Sequence, residues 1–398
     1  MNKKLMAIAV AGALAAPGVA LAQASSVTIS GIFKLGLENI NYGNSVSTRL
    51  NKSQTRVVDN SSRIIFNTVE NLGNGLSAIG QLDVRFAPDQ ATGPVNSNPI
   101  GSGNSFVGLR SSSWGTLTLG RWDLHYGKGP SEMTRGAGAL QASDVSLFDY
   151  IGNFAVANGS RTQNVVKYDS PNWAGFDATV AWSANPSNAV GGEADMTNSG
   201  GTNNRRGDAW NINPRYTMGP FGIEYSYWKA KPDAPTSLAA AISLTSAATA
   251  LDQQGHSLTA KYTVGGLKVG IGANRSRLNP AVDVPGVVST GDKIERTTWS
   301  LAGQYAFGPH TVFAHYDRAA KVKGNGTSVD DTGARMIAVA YEYALSKRTS
   351  LGATYAQIKN DANINYNFFT SSALGSSDTA AQPGEDPRLF QVTILHRY

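Results

Sequence analysis

Residues 221–228 read FGIEYSYW, with an apolar or aromatic side chain at 221, 223, 225 and 227 and mostly small or polar residues between them. Successive side chains of a β-strand point to opposite faces, so this stretch predicts a strand with one apolar face and one polar face. Similar alternation recurs in six further segments, at 27–38, 176–183, 210–216, 267–274, 299–305 and 390–398. The mature chain is therefore predicted to be all-β.

The connections between the alternating segments have two lengths. Seven short turns are predicted at 70–75, 111–115, 171–175, 219–222, 264–266, 307–310 and 345–349. Eight longer loops, rich in small and polar residues, are predicted at about 42–55, 88–101, 123–160, 184–206, 232–254, 279–293, 321–332 and 360–387. Short turns at one end and long loops at the other are typical of an antiparallel transmembrane β-barrel with an even strand number. The pattern predicts sixteen strands, with both chain ends on the short-turn side.

Composition narrows the choice of fold and function. Charged residues are only 16% of the chain, and the polar face of the strands is mostly Ser, Thr, Gly and Asn, which favours the barrel over a soluble two-sheet sandwich. Cysteine is absent and the five histidines have no metal-ligand spacing, so no cofactor and no metal is expected. The net charge of +6 is too scattered to predict a nucleic-acid partner.

The N-terminus carries the features of an export signal. Two lysines at positions 3 and 4 precede an apolar run at 5–16, and small residues fit cleavage after Ala24 or, nearly as well, after Ala22. The apolar run is too short for a transmembrane helix. The predicted organisation is a signal peptide at 1–24 and a barrel domain at 25–398.

Seven motifs stand in order along the mature chain: SRIIF at 62–66, ENLGNGLSA at 70–78, FVGL at 106–109, WGTLTLGR at 114–121, NVVKY at 164–168, SPNWAGF at 170–176 and YALSKRT at 343–349. Together they resemble the motifs of general porins from Gram-negative β-proteobacteria. The resemblance implies a barrel in the outer membrane, in contact with its lipid and lipopolysaccharide, and assembly as a homotrimer. It also implies that the C-terminal Tyr398 is read by the barrel-insertion machinery.

In that family the third external loop folds into the pore and narrows it. Here this loop corresponds to about 123–160, the longest connection, and we expect the same of it. It carries four acidic residues, Asp123, Glu132, Asp144 and Asp149.

The resemblance and the strand parity together give candidate pore-lining residues. With Ile64 and Phe66 facing lipid, Arg63 is expected to point inward, and the family places an arginine of this motif at the constriction. Arg161 matches a second constriction arginine. Arg121 is a third candidate, although strict alternation turns it outward unless Gly120 hosts a bulge. Further basic residues on inward parity are Lys34, Arg85, Arg215, Lys261, Lys268 and Arg296, and the opposing acids are Glu38, Asp83, Asp177 and Glu224.

The predicted function is passive diffusion of small hydrophilic solutes and ions across the outer membrane. Fixed arginines in a narrow neck are expected to give a mild anion preference. A substrate-specific channel or a barrel adhesin remains an alternative. No enzyme activity is expected, because His315 and Asp317 share inward parity but no serine is singled out to complete a triad.

Overall fold

A computed structural model describes residues 26–44, 47–89, 100–124, 129–133, 136–152, 154–155, 162–184, 208–231, 236–237, 248–249, 251–280, 292–369 and 381–398. The predicted signal peptide and Arg161 lie outside these residues. Among the described residues, no helix is long and apolar enough to cross a membrane.

Sixteen strands form one closed sheet. They are β1 (Ser26–Asn41), β2 (Ser53–Asp59, continuing as Arg63–Gly73), β3 (Leu76–Arg85), β4 (Ser105–Ser111), β5 (Gly115–Trp122), β6 (Thr162–Asp169), β7 (Phe176–Ser183), β8 (Asp208–Met218), β9 (Phe221–Lys231), β10 (Leu251–Val264), β11 (Leu267–Pro280), β12 (Ile294–Phe307), β13 (His310–Ala319), β14 (Ala334–Ala344), β15 (Thr349–Asn360) and β16 (Arg388–Arg397). Two-residue strands at Tyr150–Ile151, Phe154–Ala155, Thr236–Ser237, Ala248–Thr249, Lys323–Gly324 and Thr327–Ser328 lie in the long connections.

Each of the sixteen strands pairs with its sequence neighbour in antiparallel register, and β16 closes the barrel on β1. The closing register runs from Ile32 opposite Arg397 to Asn41 opposite Arg388. Closure leaves no strand edge, which is what a bilayer requires because lipid cannot satisfy an unpaired backbone group. The predicted strand number, the antiparallel pairing and the seven short turns are confirmed.

Burial along the strands is inverted relative to a soluble protein. In β1 the charged residues Lys34 and Glu38 are buried, whereas Leu37, which lies between them in the sequence, is 57% exposed. In β14 the small residues Ala338 and Ala340 are buried while Val339 between them is 43% exposed. The apolar face therefore points outward to lipid, and the polar and small side chains point inward.

A proline interrupts the donor ladder of β8, and a side chain replaces the missing donor. Pro214 has no backbone N–H to give to β9. The Asn213 side-chain amide donates to the Tyr225 carbonyl at 2.7 Å instead. The strand therefore continues through the proline.

The long connection after β5 is more ordered than a plain loop. Its described part contains a 3₁₀ turn at Leu140–Ala142 and a short helix, α1, at Val145–Phe148. We call residues 129–133 and 136–152 of this connection the docked segment, because they contact the inward-facing side chains described below.

Candidate functional site

A kink in β2 sets the position of the predicted constriction arginine. The Asp59 carboxylate accepts hydrogen bonds from the backbone N–H groups of Ser61 and Ser62 at 2.7 and 3.0 Å. Ser61 takes a left-handed φ of 76°, so the strand breaks here and resumes at Arg63. The kink is thus built by local side-chain capping of the backbone.

Cationic groups gather on the inner face of β1–β3. Arg63 lies in register with Ile32 of β1 and with Arg85 of β3, which puts it on the inward face that also carries Lys34. The Arg85 guanidinium binds the Asp83 carboxylate, with Nη2 to Oδ2 at 2.9 Å. Within the described part of the chain, no carboxylate forms an ion pair with Arg63. Asp83 is thus the ion-pair partner of Arg85, whereas the Asp83, Asp123 and Asp59 carboxylates act on Arg63 only through space.

The structure does contain a bulge beside Arg121, but on the neighbouring strand. Gly120 pairs with Val165 and Trp122 with Thr162, so the extra residue belongs to β6 and not to β5. Arg121 stays paired with Ser105 of β4. The ring of Trp122 lies 4.3 Å from Lys167 Nζ on the inward face. Because alternation along β5 is preserved, the bulge does not turn Arg121 inward, and its constriction role stays a prediction that the register does not support.

Other predicted pore charges form neutral pairs across strands. Arg215 Nε donates to Asp177 Oδ1 at 2.6 Å, with Glu224 in register on its other side. Lys261 Nζ of β10 donates to Glu132 Oε1 of the docked segment at 2.8 Å. Of the expected basic wall, Arg215 and Lys261 are therefore compensated by carboxylates, whereas Arg63, Lys268 and Arg296 form no ion pair with a described residue.

The docked segment hydrogen-bonds to side chains from distant strands. The backbone N–H groups of Ala137, Ala139 and Leu140 donate to Glu342 Oε2, Thr354 Oγ1 and Asn60 Oδ1, respectively, at 3.0, 2.9 and 2.9 Å. These acceptors belong to β14, β15 and the β2 kink. The barrel backbone is already used in strand pairing, so the segment is held by side chains.

Arg296 of β12 donates hydrogen bonds to the docked segment, whereas the three side chains named above accept them. Its guanidinium is buried, and Nη2 donates to the carbonyls of Phe148 and Tyr150, the first at 2.9 Å. It thereby satisfies the carbonyl at the end of α1, where intrahelical donors are lacking.

Small residues on the inner face allow the segment to come close. A Cβ added to Gly352 would collide with the Ala137 carbonyl oxygen, and one added to Gly270 would lie 2.7 Å from Pro130 Cβ. Ala338 and Ala340 are buried beside this contact. Larger side chains at these inward positions would exclude the segment.

Asp144 of the docked segment lies in a buried polar cluster. It accepts the Ser131 N–H at 2.7 Å. Burial, together with the nearby Asp317 carboxylate, raises the pKa of Asp144 to about 6, although His315 acts in the opposite direction. His315 Nδ1 lies 2.8 Å from Asp317 Oδ2, and its Nε2 lies 2.8 Å from the Ala142 carbonyl oxygen. Only Nε2 of His315 therefore contacts the segment, whereas Nδ1 faces a carboxylate of the same barrel strand.

The other two acids of this loop, Asp149 and Asp123, differ in burial and in hydrogen bonding. Asp149 is almost fully buried, and Asp123 accepts a hydrogen bond from Asn104 Nδ2 at 3.0 Å. Asn60, Glu342 and Thr354 were not among the predicted site residues. Glu342 and Thr354 lie on inward parity among Ala and Gly residues of β14 and β15, and this run of small residues is the sequence signal that could have indicated them.

The fold resembles those of solved outer-membrane proteins. An anion-selective porin from Comamonas acidovorans matches with a TM-score of 0.70 and 21% identity, over 94% of this chain and 100% of that one. The trimer form of OmpT, an outer membrane protein of Vibrio cholerae, matches with a TM-score of 0.65 and 14% identity, over 94% and 100%. At these identities the likeness concerns the fold.

Two sequence relatives come from Neisseria meningitidis. The major outer membrane protein P.IB of serogroup A is 32% identical over 190 residues, 46% of this chain and 50% of the relative. The chain thus spans about half the length of the P.IB relatives that it matches. The major outer membrane protein P.IA of serogroup C is 26% identical over 428 aligned positions, 94% of this chain and 99% of the relative. The family model described as Gram-negative porin matches residues 7–363. With the closed barrel, this match shows that the chain is an outer-membrane protein of a Gram-negative bacterium and belongs to the Gram-negative porin family.

Proposed function

We propose that the protein is a general diffusion channel for small hydrophilic solutes and ions, with a mild preference for anions. The single observation that carries the anion preference is the guanidinium of Arg63, which stands in register with Arg85 and forms no ion pair with a described carboxylate. Across the barrel, Glu132 is paired and Asp144 is buried. Fixed positive charge in a narrow, partly desolvated neck attracts anions more than the small net charge of the whole chain would.

The docked segment is proposed to form the opposite side of the constriction. Its contacts lie on Asn60 of the β2 kink and on inward-facing residues of β10–β15, and the cationic group of β1–β3 is proposed to face it across the pore. In this arrangement Arg63, Arg85 and Arg215 line the pore, and the buried Lys34 and Asp83 add their charges to the same wall. Arg161 is proposed as a further lining residue from the motif alone.

Reversal potentials in a salt gradient across a planar bilayer test the selectivity. An anion-preferring pore gives a potential with the sign of chloride diffusion, which declines at high ionic strength as charges are screened. Cation selectivity at low salt would contradict the proposal.

A substrate-specific channel and a barrel adhesin are the competing functions. A general pore conducts in proportion to salt and solute concentration, whereas a specific channel saturates with its ligand. An adhesin would insert without conducting. The proposal of a pore rather than an enzyme is supported by His315, whose Nδ1 faces Asp317 and whose Nε2 faces the Ala142 carbonyl oxygen and not a serine hydroxyl.

Three further features belong to the same proposal. The chain is proposed to assemble as a homotrimer, supported by the trimer form among the solved structures of this fold. Tyr398 is proposed to address the barrel to the insertion machinery, and residues 1–24 to be removed on export. Three equal closure steps in single-channel records would support the trimer, and single steps would contradict it.

A further inference from the structure

The last long connection, between β15 and β16, packs against the rest of the molecule instead of extending into solvent. We call its described residues, 361–369 and 381–387, the outer cap. Ile364 and Tyr366 of the cap are fully buried, and they belong to the same apolar cluster as Leu147 of α1. A connection that ran through solvent would leave side chains of this size exposed. The outer cap therefore shares its core with the docked segment.

The outer cap also contacts the docked segment through a hydrogen bond and a ring pair. The backbone N–H of Phe369 donates to Ser146 Oγ at 2.8 Å. Ser146 is buried, and its hydroxyl donates in turn to the Gln141 carbonyl at 3.0 Å. The ring of Phe369 lies 6.3 Å from that of Tyr150, in an edge-to-face arrangement. The Ser146 hydroxyl thus accepts from the cap and donates within its own segment, so the two are joined at α1.

A buried carboxylate ties the other part of the cap to the first long connection. Glu385 is fully buried, and Arg49 Nε donates to its two carboxylate oxygens at 2.8 and 2.9 Å. Ser47 Oγ and the Gln382 N–H each add a donor at 2.8 Å, one to each oxygen. A carboxylate removed from water needs such partners, because it has lost its hydration. Glu385 is therefore a strap between the cap and the first connection.

One side chain at the end of β15 joins the two parts of the cap. Asn360 Nδ2 donates to the carbonyls of Tyr366 and Glu385 at 2.9 and 2.7 Å, and its Oδ1 accepts the Tyr366 N–H at 3.0 Å. The Gly384 N–H donates to the Ile364 carbonyl at 2.9 Å. The strap at Glu385 and the contact with the docked segment are therefore connected through hydrogen bonds inside the cap.

We propose that the outer cap is a second positioning element of the constriction, and that the Arg49–Glu385 strap thereby helps to set the largest solute that the channel admits. The proposal rests on the diffusion channel proposed above. Side chains of the barrel wall hold segment residues 137–140, and the cap adds contacts at 146–150. Release of the strap frees the cap, and the segment loses these contacts. The opening that the segment restricts then widens.

Swelling of liposomes that contain the refolded full chain tests the proposal, with glucose and the linear tetrasaccharide maltotetraose as solutes. Glu385→Gln leaves the Arg49 guanidinium without its ion pair. The swelling rate with maltotetraose relative to glucose is expected to rise about twofold or more, because a wider opening favours the larger solute. Hydrogen exchange at 381–387 is expected to become faster. The control Asp330→Asn breaks the exposed pair with Lys321 on the neighbouring long connection, and it should leave the swelling ratio unchanged.

A second variant, Ser146→Ala, removes the acceptor of the Phe369 N–H and acts at the opposite end of the cap. It should raise the swelling ratio in the same direction, and it carries the test if Glu385→Gln does not refold. Faster exchange of the cap with an unchanged swelling ratio would overturn the proposal, since the role of the cap would then be structural alone. Unchanged exchange in Glu385→Gln would overturn the strap. A parent protein that admits neither sugar would contradict the channel itself, so the two failures are distinguishable.

Discussion

The inner walls on two sides of the barrel differ in side-chain size and charge. On β1–β3 the inward face carries Lys34, Arg63 and Arg85, whereas on β14 and β15 it carries Ala338, Ala340 and Gly352. The small-residue wall contacts the docked segment, and in the proposed constriction the charged wall faces it. The difference teaches that the positions of small side chains matter for the inner wall as much as the positions of charges.

The two walls also use hydrogen bonds differently. The charged wall is organised by pairs within the barrel, such as Arg85 with Asp83. The small-residue wall is organised by single side chains that each bind a backbone group of the docked segment. Loss of one such side chain is therefore expected to loosen the segment while the barrel stays closed.

The largest expected effect on this contrast comes from Arg296→Met. The change leaves the carbonyls of Phe148 and Tyr150 without their donor, which costs about 3 kcal/mol of docking free energy. Hydrogen exchange in residues 145–152 and single-channel conductance should both increase. Lys268→Met is the control, because Lys268 lies opposite Gln304 on the adjacent strand. Unchanged exchange in the Arg296 variant would show that the segment is held elsewhere.

Gly352→Val tests the small-residue wall directly. The new side chain collides with the Ala137 carbonyl oxygen, and overpacking of this kind costs about 1–3 kcal/mol. Proteolysis of the segment should become faster. Gly303→Val provides the matched control, because a Cβ at Gly303 meets no atom within 4 Å. Similar proteolysis rates for both variants would contradict the close approach of segment and wall.

Arg63→Gln tests whether the charged wall sets the ion selectivity. One unit charge about 4 Å from a permeating ion contributes about 1 kcal/mol even in water, or about fivefold in permeability ratio. The reversal potential should move toward cation selectivity by up to that factor. Arg110→Gln removes the same charge near the short turn that follows β4, and its shift should be much smaller. Equal shifts would place the selectivity at the pore mouth.

The smallest expected effect is the pH dependence of docking through Asp144. Its pKa is raised to about 6, mainly by burial, above the ordinary value of about 3.9. The protonated carboxyl is thus favoured in the docked state, so this contribution is complete below about pH 4 and is lost as pH rises through about 6. His315 offsets part of it. The difference in proteolysis rate between parent and Asp144→Asn should therefore grow from pH 5 to pH 7.5, and a constant difference would refute the assignment.

The inward orientation of Arg63, Asp83 and Arg85 followed from strand parity, because a period of two is a local property. The pairing of Lys261 with Glu132 and the contact of Arg296 with Phe148 did not follow, since each joins residues more than a hundred positions apart. Arg121 shows the limit of local inference. The sequence suggested a bulge at Gly120, but only the pairing with β6 shows which strand carries the extra residue.

The amino-acid sequence by itself determined the strand count, the closed barrel and the two faces of its wall. Alternation and turn residues determine strands and turns over a few positions of the chain. In lipid an antiparallel sheet must close, because the backbone groups of an open edge would stay unpaired. Only the tertiary structure decided which inward charges are compensated and which wall the docked segment occupies. Both outcomes depend on the curvature of the barrel, which brings β2, β12, β14 and β15 around one segment. These contacts join residues far apart in the chain, so a local sequence pattern does not predict them.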